Sequence, residues 1–437
     1  MEFSTETLEQ VTQIMVRDIE QQLSSGEQMS FTELEQGMRE MLQAVGRESL
    51  GQMLSKEDEI EQGVKHRCTC QGEGRRVSSR TATLLSVFGW IGYRRSNYHC
   101  GQCGERCVPL DEKHGLRPGQ ASQTMAKLLA LAGVTVSFEE ARQQIAEYML
   151  VDVSVNTIRK ETQTIGERQR QREAQWIEKS KDIAYLQERE RLSERPQQVY
   201  GSIDGAFVPV AHEWKEEKTI SWYQAGTRYG SQEQRAIKIQ YHTSLKEAEQ
   251  FGELVWASGV HYHADLAKEL IFVCDGAKWI WKLVSHYFPD AVQIADWYHV
   301  CEYLQPIAEA LFPSDDQQRE TWRQEIKDML WQGDVQAVIQ TCHCLSKRAR
   351  TAQPAKRALT YYTNNQHRMN YPLYRESGYF IGSGTVESAC KQIVSMRLKR
   401  SGARWTLDGA ATTAKARAAW LSDGDTWHSL TSLPLVS

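Results

Sequence analysis

The chain has 437 residues, of which 41% are hydrophobic and 25% charged, and it contains 13 tryptophans. This length allows two to four domains, and this composition excludes a disordered chain. The sequence has no apolar run of about 18 residues or more, which excludes a membrane-spanning helix. The segment from Met1 to Gln10 lacks the basic and apolar regions of a secretory signal. We therefore expect a cytoplasmic protein that does not contact a membrane.

The formal net charge of −4 is distributed unevenly. Residues 1–62 contain 14 acidic and 4 basic residues, a net charge of −10, which leaves +6 for residues 63–437. Residues 391–420 contain seven basic residues and one acid, Asp408. A DNA-binding protein needs basic charge only where the phosphates lie, so the net charge neither favours nor excludes DNA as a partner.

The acidic N-terminal segment 1–62 has apolar residues at helical spacing, which predicts two or three helices. The apolar positions form two groups: Leu8, Val11, Ile14, Met15 and Ile19, and then Leu34, Met38, Met41, Leu42 and Val45. Ser30 and Thr32 are the candidate N-caps of the second helix. An ordinary helical hairpin and a surface for a protein partner both fit this pattern.

Segment 63–115 combines a predicted β-hairpin, Thr81–Phe88 with Trp90–Tyr98, and five of the ten cysteines. In a reducing compartment such a cluster favours metal ligation over disulfides. Two cysteine pairs at the ends of a hairpin suit one tetrahedral structural zinc ion, as in a zinc ribbon. The predicted ligands are Cys68, Cys70, Cys100 and Cys103.

The first pair is unusual, because Cys68 and Cys70 are separated by one residue instead of the usual two to four. His66 or Cys107 could therefore replace one of the four ligands. Buried cysteines without a metal are the other interpretation.

Segment 116–162 contains a helix, Phe138–Met149, a turn at Leu150–Val153, and a second helix for which Ser154 is the candidate N-cap. This pattern is typical of a helix-turn-helix, whose second helix enters a DNA major groove. Any helical hairpin gives a similar pattern. The candidate DNA-binding residues are Asn156, Arg159 and Lys160. The charged run 163–195 predicts a solvated linker helix that ends at Pro196, with a domain boundary near 195.

From residue 196 onward, the pattern predicts an α/β domain with three strands, a helix, a strand, a helix and a strand. This order is that of an RNase-H-like mixed sheet. The predicted strands are Val199–Val210, Trp214–Gly226, Ala236–His242, Leu270–Cys274 and Ala291–Ala295, and the two helices are Leu245–Val260 and Lys278–Tyr287. In this arrangement Asp204 and Asp275 lie on neighbouring strands. Two such carboxylates repel each other unless a cation neutralises them, and Mg²⁺ or Mn²⁺ prefers oxygen ligands.

A third carboxylate is expected from the helix that follows Gly382, where Glu387 and Lys391 share a face at i, i+4. Alone, this pattern fits a capped surface helix equally well. The basic residues that would line an adjacent phosphate path are Lys391, Arg397, Lys399, Arg400 and Arg404. Segment 301–375 predicts an inserted helical domain, 376–425 the last part of the catalytic domain, and 426–437 a C-terminal tail. His299, just before the insertion, fits an ordinary core histidine.

Several strings resemble the Kra-type insertion-sequence transposases, relatives of the mutator-like transposases with an RNase-H-like DDE domain. They are GSIDGAFVPV (201–210), FVCDGAKWIW (272–281), ADWYHV (295–300), YYTNNQHRMNYPLYRESGYFIGSGTVESACKQ (361–392) and MRLKRSGARW (396–405). The resemblance covers roughly residues 195–425 and, more loosely, the cysteine segment. It implies a catalytic triad of Asp204, Asp275 and Glu387. It also implies that Asp296 and His299 form the Asp-x-x-His signature of mutator-like enzymes and belong to the catalytic site, where His299 would contact the scissile phosphate or flanking DNA.

The sequence thus predicts a DNA transposase. Its triad would hold two Mg²⁺ or Mn²⁺ ions, and a homo-oligomer would bind double-stranded DNA as transposon ends and target. One rival function is a catalytically silent, domesticated transposase that acts as a sequence-specific DNA-binding protein. Another is an RNase-H-like nuclease without strand joining, such as a junction resolvase.

Overall fold

The chain divides into two compact units, Met1–Glu161 with Thr431–Ser437, and Thr162–Leu430. The computed structural model describes positions 9, 12–14, 16 and 17 and residues 30–61, 66–68, 70–227 and 233–432. Helices and two sheets make the architecture mixed α/β, as predicted. Within these described ranges, no helix combines the length and the apolar character needed to cross a bilayer.

The first unit is built around a long hairpin and a group of helices. Its elements are α1 (Phe31–Glu61), β1 (His66–Arg67), β2 (Glu73–Ser86), β3 (Gly89–Cys100), β4 (Arg106–Cys107), α2 (Pro109–His114), α3 (Gln123–Thr135), α4 (Phe138–Met149) and the start of α5 (Val155–Lys179). The four strands form an antiparallel sheet in the order β1-β2-β3-β4. The predicted hairpin is therefore confirmed. It is longer than expected at its open end, and its first strand ends at Ser86, before the predicted Phe88.

Helix α1 is one continuous helix of 31 residues. Ser30 is its N-cap, because the Ser30 hydroxyl accepts the N–H of Glu33 at 3.3 Å while the Glu33 carboxylate accepts the N–H of Ser30 at 2.7 Å. Thr32 lies inside the helix. The helix predicted before it rests on Leu8, Val11, Met15 and Ile19, which lie outside the described residues.

The predicted helix, turn and helix of 138–162 are confirmed as elements. Ser137 and Glu140 form a capping box at the start of α4, and Leu150 ends the helix in the left-handed conformation with φ 53°. The Ser154 hydroxyl accepts the N–H of Thr157 at 3.1 Å and so caps α5. The end of the chain also belongs to this unit, since the Gln123 amide donates to the carbonyl oxygen of Ser432 at 2.8 Å.

The second unit begins within α5. Its further elements are α6 (Ile183–Leu192), β5 (Gln198–Val210), β6 (Glu213–Thr227), β7 (Gln234–Ser244), α7 (Ala248–His261), β8 (Glu269–Cys274), α8 (Lys278–Tyr287), β9 (Val292–Ala295), α9 (Trp297–Glu302), α10 (Leu304–Leu311), α11 (Asp316–Trp331), α12 (Val335–Leu345), α13 (Ala352–Asn365), α14 (Tyr371–Glu376), α15 (Gly384–Ala389), a π-helix (Cys390–Leu398) and α16 (Leu407–Leu421). A last helix, α17 (Thr426–Ser432), extends into the first unit.

The sheet of the second unit has the order β7-β6-β5-β8-β9. Strands β5, β6 and β7 are antiparallel, and β8 and β9 run parallel to β5. Strand β8 reads as a continuous apolar run because both of its faces are covered. Phe272 packs with α7 and α8, whereas Ile271 and Val273 pack with the helices of the insertion.

The helical insertion is a layer on the sheet and not a separate globule. Leu330 and Tyr362, from α11 and α13, share one buried cluster with Tyr200 and Val273 of the sheet. Short amphipathic helices cannot bury their apolar faces alone, so they bury them on the nearest strands. The sequence did not predict α14, whose six residues are too few to show periodicity.

The prediction of a solvated linker helix over 163–195 is wrong for most of α5. Glu173 is buried, and its carboxylate contacts Nδ1 of His242 at 2.9 Å and pairs with the ammonium group of Lys415. Charged residues indicate a solvated helix only when their partners are water. Here the partners lie on β7 and α16, and no local pattern reveals them.

Candidate active site and metal-binding residues

Asp204 and Asp275 lie at the same level on two neighbouring parallel strands. Gly201 of β5 pairs with Phe272 of β8, and each acid stands three residues further along its own strand direction. Asp275 is the first residue after β8. The adjacent positions that the sequence predicted for these two acids are thus confirmed.

The Asp204 carboxyl group is surrounded by acidic neighbours. Burial raises its pKa, and the negative charges of Asp275 and Glu387 raise it further. The N–H of Gly205, which donates to Oδ1 at 2.7 Å, and the thiol of Cys390 lower the pKa, but the net direction is upward. Asp275 and Glu387, which are far from Asp204 in the sequence, are therefore close enough to it for their charges to raise its pKa.

Asp275 is held in a tight turn. Its Oδ1 accepts the N–H of Ala277 at 2.9 Å, and Gly276 has a φ of +96°, a conformation that favours glycine. The Tyr361 hydroxyl donates to the carbonyl oxygen of Asp275 at 2.8 Å. A Cβ atom on Gly276 would lie 2.7 Å from the Tyr361 ring. The insertion thus fixes the backbone of the second acid.

Glu387 projects from α15, and its Oε1 accepts the hydroxyl of Ser383 at 3.1 Å. The prediction that Glu387 and Lys391 share a regular α-helix is wrong, because the helix continues as a π-helix from Cys390. Wider turns change which residues share a face, so i, i+4 spacing no longer applies across this junction.

The three carboxylates are less tightly gathered than the ligands of one ion would be. In the described part of the chain, the cysteines are the only group of three or more metal-ligating residues whose atoms all lie within 4.8 Å of one another. A pair of divalent ions about 3.5–4 Å apart spreads its ligands over a wider area than one ion does. A single ion shared by all three acids would therefore require side-chain movement.

The carboxylate of Asp296 accepts hydrogen bonds from the backbone. It is fully buried, one of its oxygens accepts the N–H of His299 at 2.8 Å, and the other accepts the N–H of Ser383. It therefore caps α9 and fixes the loop that leads to Glu387. These contacts indicate that Asp296 is a positioning residue, and not the catalytic residue that the resemblance implied.

His299 lies on the exposed side of α9. Its Nδ1 is 3.1 Å from the Glu302 carboxylate, and its ring packs edge-on against Tyr303 and Tyr361. Through Tyr361 it is one side chain away from the turn of Asp275. It is not a buried core histidine, and it remains a candidate for contact with DNA.

The basic residues predicted to line a phosphate path behave differently from one another. Arg397 is only 2% exposed and lies over the Trp405 ring at 5.2 Å, so its assignment to an open path is wrong. The π-helix turns this residue inward. Lys391, Lys399 and Arg404 are exposed, and Arg400 is half-buried. In the first unit, Asn156, Arg159 and Lys160 are also exposed at the start of α5.

The four predicted cysteines converge at the open end of the β2–β3 hairpin. Sγ of Cys68 is 3.5 Å from Sγ of Cys103, and Sγ of Cys70 is 3.6 Å from Sγ of Cys100. The backbone amides of Cys103 and Gln102 lower the pKa of Cys100 to about 7, which favours a thiolate. This group can hold a metal ion, and neither His66 nor Cys107 belongs to it.

The profile of an uncharacterised protein family, UPF0236, matches residues 24–431. The chain belongs to this family. A UPF0236 protein of Caldanaerobacter subterraneus subsp. tengcongensis is 23% identical over 428 residues, which is 95% of this chain and 82% of the relative. A second UPF0236 protein of the same organism is 24% identical over 411 residues, covering 91% of this chain and 80% of the relative.

Sequence reasoning missed several residues of this UPF0236 protein that support the acids. Cys390 is buried and hydrogen-bonds Asp204, Ser383 contacts Glu387, and Tyr361 holds Asp275. Cys390 and Ser383 lie in the same string as Glu387, so proximity in the sequence was an available signal. Tyr361 had none, because it is 86 residues from its partner.

Proposed function

We propose that this UPF0236 protein is a DNA transposase that uses Asp204, Asp275 and Glu387 for metal-dependent phosphoryl transfer. The observation that carries the proposal is the placement of Asp204 and Asp275 at the same level on two parallel strands, with Glu387 of a distant helix close enough for its charge to raise the pKa of Asp204. The resemblance of the surrounding strings to Kra-type transposases points to the same residues.

The sheet supports an RNase-H-like catalytic domain. Three antiparallel strands followed by two strands parallel to the first are the arrangement expected of that fold. Asp204 lies on the central strand, β5, and Asp275 directly follows its parallel neighbour, β8. In such sheets, ligands bind beyond the carboxyl ends of parallel strands. Asp275 lies at that edge of the sheet.

The donor set fits divalent magnesium or manganese. All three candidate ligands offer carboxylate oxygens, and burial together with the negative charges of Asp275 and Glu387 raises the pKa of Asp204. Bound ions would supply Lewis-acid stabilisation of the attacking and leaving oxygens of a phosphodiester. The chain itself holds the acids in place through Gly205, Ala277 and Ser383.

Two successive reactions would use this one site. Hydrolysis of the phosphodiester at the transposon end forms a P–O bond to water, breaks the P–O bond to the 3′ oxygen, and frees a 3′-hydroxyl group. That hydroxyl then attacks a target phosphodiester, so a new P–O bond forms, an old one breaks, and the departing oxygen takes up a proton from water. Positioning is sufficient for both steps, and no covalent enzyme intermediate is required.

The first unit supplies the features expected for recognition of the DNA ends. Asn156, Arg159 and Lys160 stand at the exposed start of α5, as a recognition helix requires. The cysteine group would hold one structural zinc ion, because four protein ligands leave no open position for catalysis. A homo-oligomer would pair the two ends.

The name of one relative supports a mobile element. That name joins eleven locus designations in one genome. Repeated occurrence of one protein at many loci is the expected result of transposition. For a protein that acts only as a cellular DNA-binding factor, such repetition has no obvious cause.

The test is cleavage and strand transfer on DNA that carries the inverted repeats flanking this gene. We expect wild-type protein with Mg²⁺ to cut the end and join it to target DNA. Asp275→Asn and Glu387→Gln should bind the same DNA without cutting it. The matched controls are Asp290→Asn and Glu376→Gln, which alter exposed acids away from the site and should keep full activity.

Each outcome separates the proposed function from its rivals. Cleavage that survives in Asp275→Asn would reject the triad. End binding by the wild type without any cleavage would indicate a domesticated DNA-binding protein. Cleavage without strand transfer would indicate an RNase-H-like nuclease.

A further inference from the structure

A groove of about 800 Å³ opens beside the turn of Asp275. One wall is the turn itself, with Gly276 and Lys278, and the other is the exposed face of α13. On that face Lys356, Arg357, Thr360 and Asn364 recur at helical spacing. We call this cavity the α13 groove.

The α13 groove is positively charged. Four of its lining residues are basic, Lys278, Lys356, Arg357 and Arg368, and none is acidic. Arg368 is held over the Trp281 ring at 4.5 Å, which fixes its charge against the floor. Lys278, Lys356 and Arg357 are exposed, and no acid among the described residues forms a salt bridge with them. Unneutralised, convergent cations favour a polyanion.

The groove adjoins a second cavity of about 570 Å³. Tyr303 and Arg357 line both cavities, and the second also includes His299, Gln353 and one acid, Glu302, which pairs with His299. Together they form a path that starts one residue from Asp275 and follows α13. A strand with a phosphate at Asp275 would therefore have a continuous route along this helix.

We propose that the α13 groove binds a single-stranded segment of DNA that leaves the carboxylate site, with Lys278, Lys356 and Arg357 as its phosphate contacts. This inference rests on the proposed function and assigns residues outside the basic segment 391–404. Cavities of roughly 300–1,000 Å³ hold ligand-sized groups, so the groove suits a few nucleotides and not a duplex. Binding would be independent of sequence, because phosphates carry no base identity.

Tyr303 and Tyr361 give the groove an aromatic component. Their rings stack on each other with centroids 4.1 Å apart, and both line the cavity. Single-strand binding sites combine such rings with a basic track that follows the backbone. The polar groups of Thr360 and Asn364 provide further donors along the same wall.

The experiment compares two labelled duplexes of arbitrary sequence, one blunt and one with a single-stranded extension of about five nucleotides, a length within the range of single-strand sites. Affinities of the full-length protein are measured by fluorescence anisotropy at several salt concentrations, with EDTA present so that no cleavage occurs. We expect the wild type to prefer the extended duplex by at least about tenfold, or 1.4 kcal/mol.

The double variant Lys356→Ala/Arg357→Ala should lose this preference while its affinity for the blunt duplex stays the same. Its salt dependence on the extended duplex should weaken by a slope of about 1.4, from two phosphate contacts of about 0.7 each. The matched control, Lys347→Ala/Arg348→Ala, removes two exposed cations of the same insertion that do not line the groove. It should retain the preference.

A wild type without preference for the extension, or a groove variant that keeps the preference, would overturn the inference. All four substituted side chains are exposed, so unfolding is not expected, and thermal unfolding curves verify this. A failure of the proposed function gives a different result: the wild type would not cleave DNA in Mg²⁺ but would still prefer the extended duplex.

Discussion

The Tyr361 hydroxyl donates a 2.8 Å hydrogen bond to the backbone carbonyl oxygen of Asp275, 86 residues earlier in the chain. This contact links the helical insertion to the second candidate metal ligand. It gives the insertion a direct role in the geometry of the site, in addition to its role in covering the sheet.

Tyr361→Phe should therefore impair cleavage more than it impairs folding. Loss of one hydrogen bond costs about 1 kcal/mol of unfolding free energy. Cleavage should fall by at least about tenfold, because small displacements of catalytic groups have large effects on rate. The matched control is Tyr374→Phe, which removes a similar bond to the carbonyl of Gln293, away from the acids. Equal activity of the two variants would refute this role for Tyr361.

Asp204→Asn should stabilise the protein in the absence of divalent metal. The substitution removes a buried negative charge that Asp275 and Glu387 oppose, while the amide oxygen can still accept the N–H of Gly205. The melting temperature should rise by a few degrees. Added Mg²⁺ should stabilise the wild type and not the variant, since only binding to the folded state raises stability. A variant that melts below the wild type without metal would contradict this prediction.

Glu217→Gln should change the pH dependence of stability. Burial raises the pKa of Glu217 to about 7 from its usual value near 4.5, and its hydroxyl partner Thr243 only partly offsets this effect. The folded protein then binds a proton that the unfolded chain has released. The contribution of this proton to the free energy of unfolding is therefore fully present below about pH 4.5 and is lost as the pH rises through 7.

The neutral glutamine does not titrate, so the variant should gain relative stability above pH 7, by up to about 3 kcal/mol at roughly 1.4 kcal/mol per pKa unit. The difference should vanish near pH 4.5. Urea unfolding at pH 5, 7 and 9 measures it. If the free energy of unfolding of the variant differed from that of the wild type by the same amount at all three pH values, protonation of Glu217 would not be the cause.

Cys103→Ser should release the zinc ion that we expect at the hairpin. The purified wild type should contain about one zinc ion per chain, measured by elemental analysis, and the variant much less. Chelation of the wild type should lower the melting temperature of the first unit, since metal binding contributes folding free energy. Cys107→Ser should keep its zinc, because Cys107 is outside the converging group. Equal metal loss in both serine variants would argue against the assigned ligands.

The elements that carry the candidate acids were predictable from sequence because each gives a strong local signal. Asp275 follows an apolar run typical of a buried strand, and Glu387 lies in the first turn of a helix. The mixed sheet was predictable for the same reason, since three consecutive strands are followed by two strands that alternate with amphipathic helices. These features depend on neighbours in the sequence.

The incorrect predictions involve partners that are distant in the chain. No sequence pattern near Glu173 indicates that Lys415 forms an ion pair with it, so α5 was predicted to be solvated. Arg397 looked exposed because helical spacing was assumed across a segment that is a π-helix. The structural role of Asp296 depends on Ser383, which the sequence does not place beside it.

The closing residues of the chain complete the fold of its first part, since Gln123 is satisfied by the carbonyl oxygens of Thr431 and Ser432. During synthesis on the ribosome, these hydrogen bonds cannot form until all of the intervening unit has been translated. A prematurely terminated product would lack these contacts even though it contains every residue of 30–161.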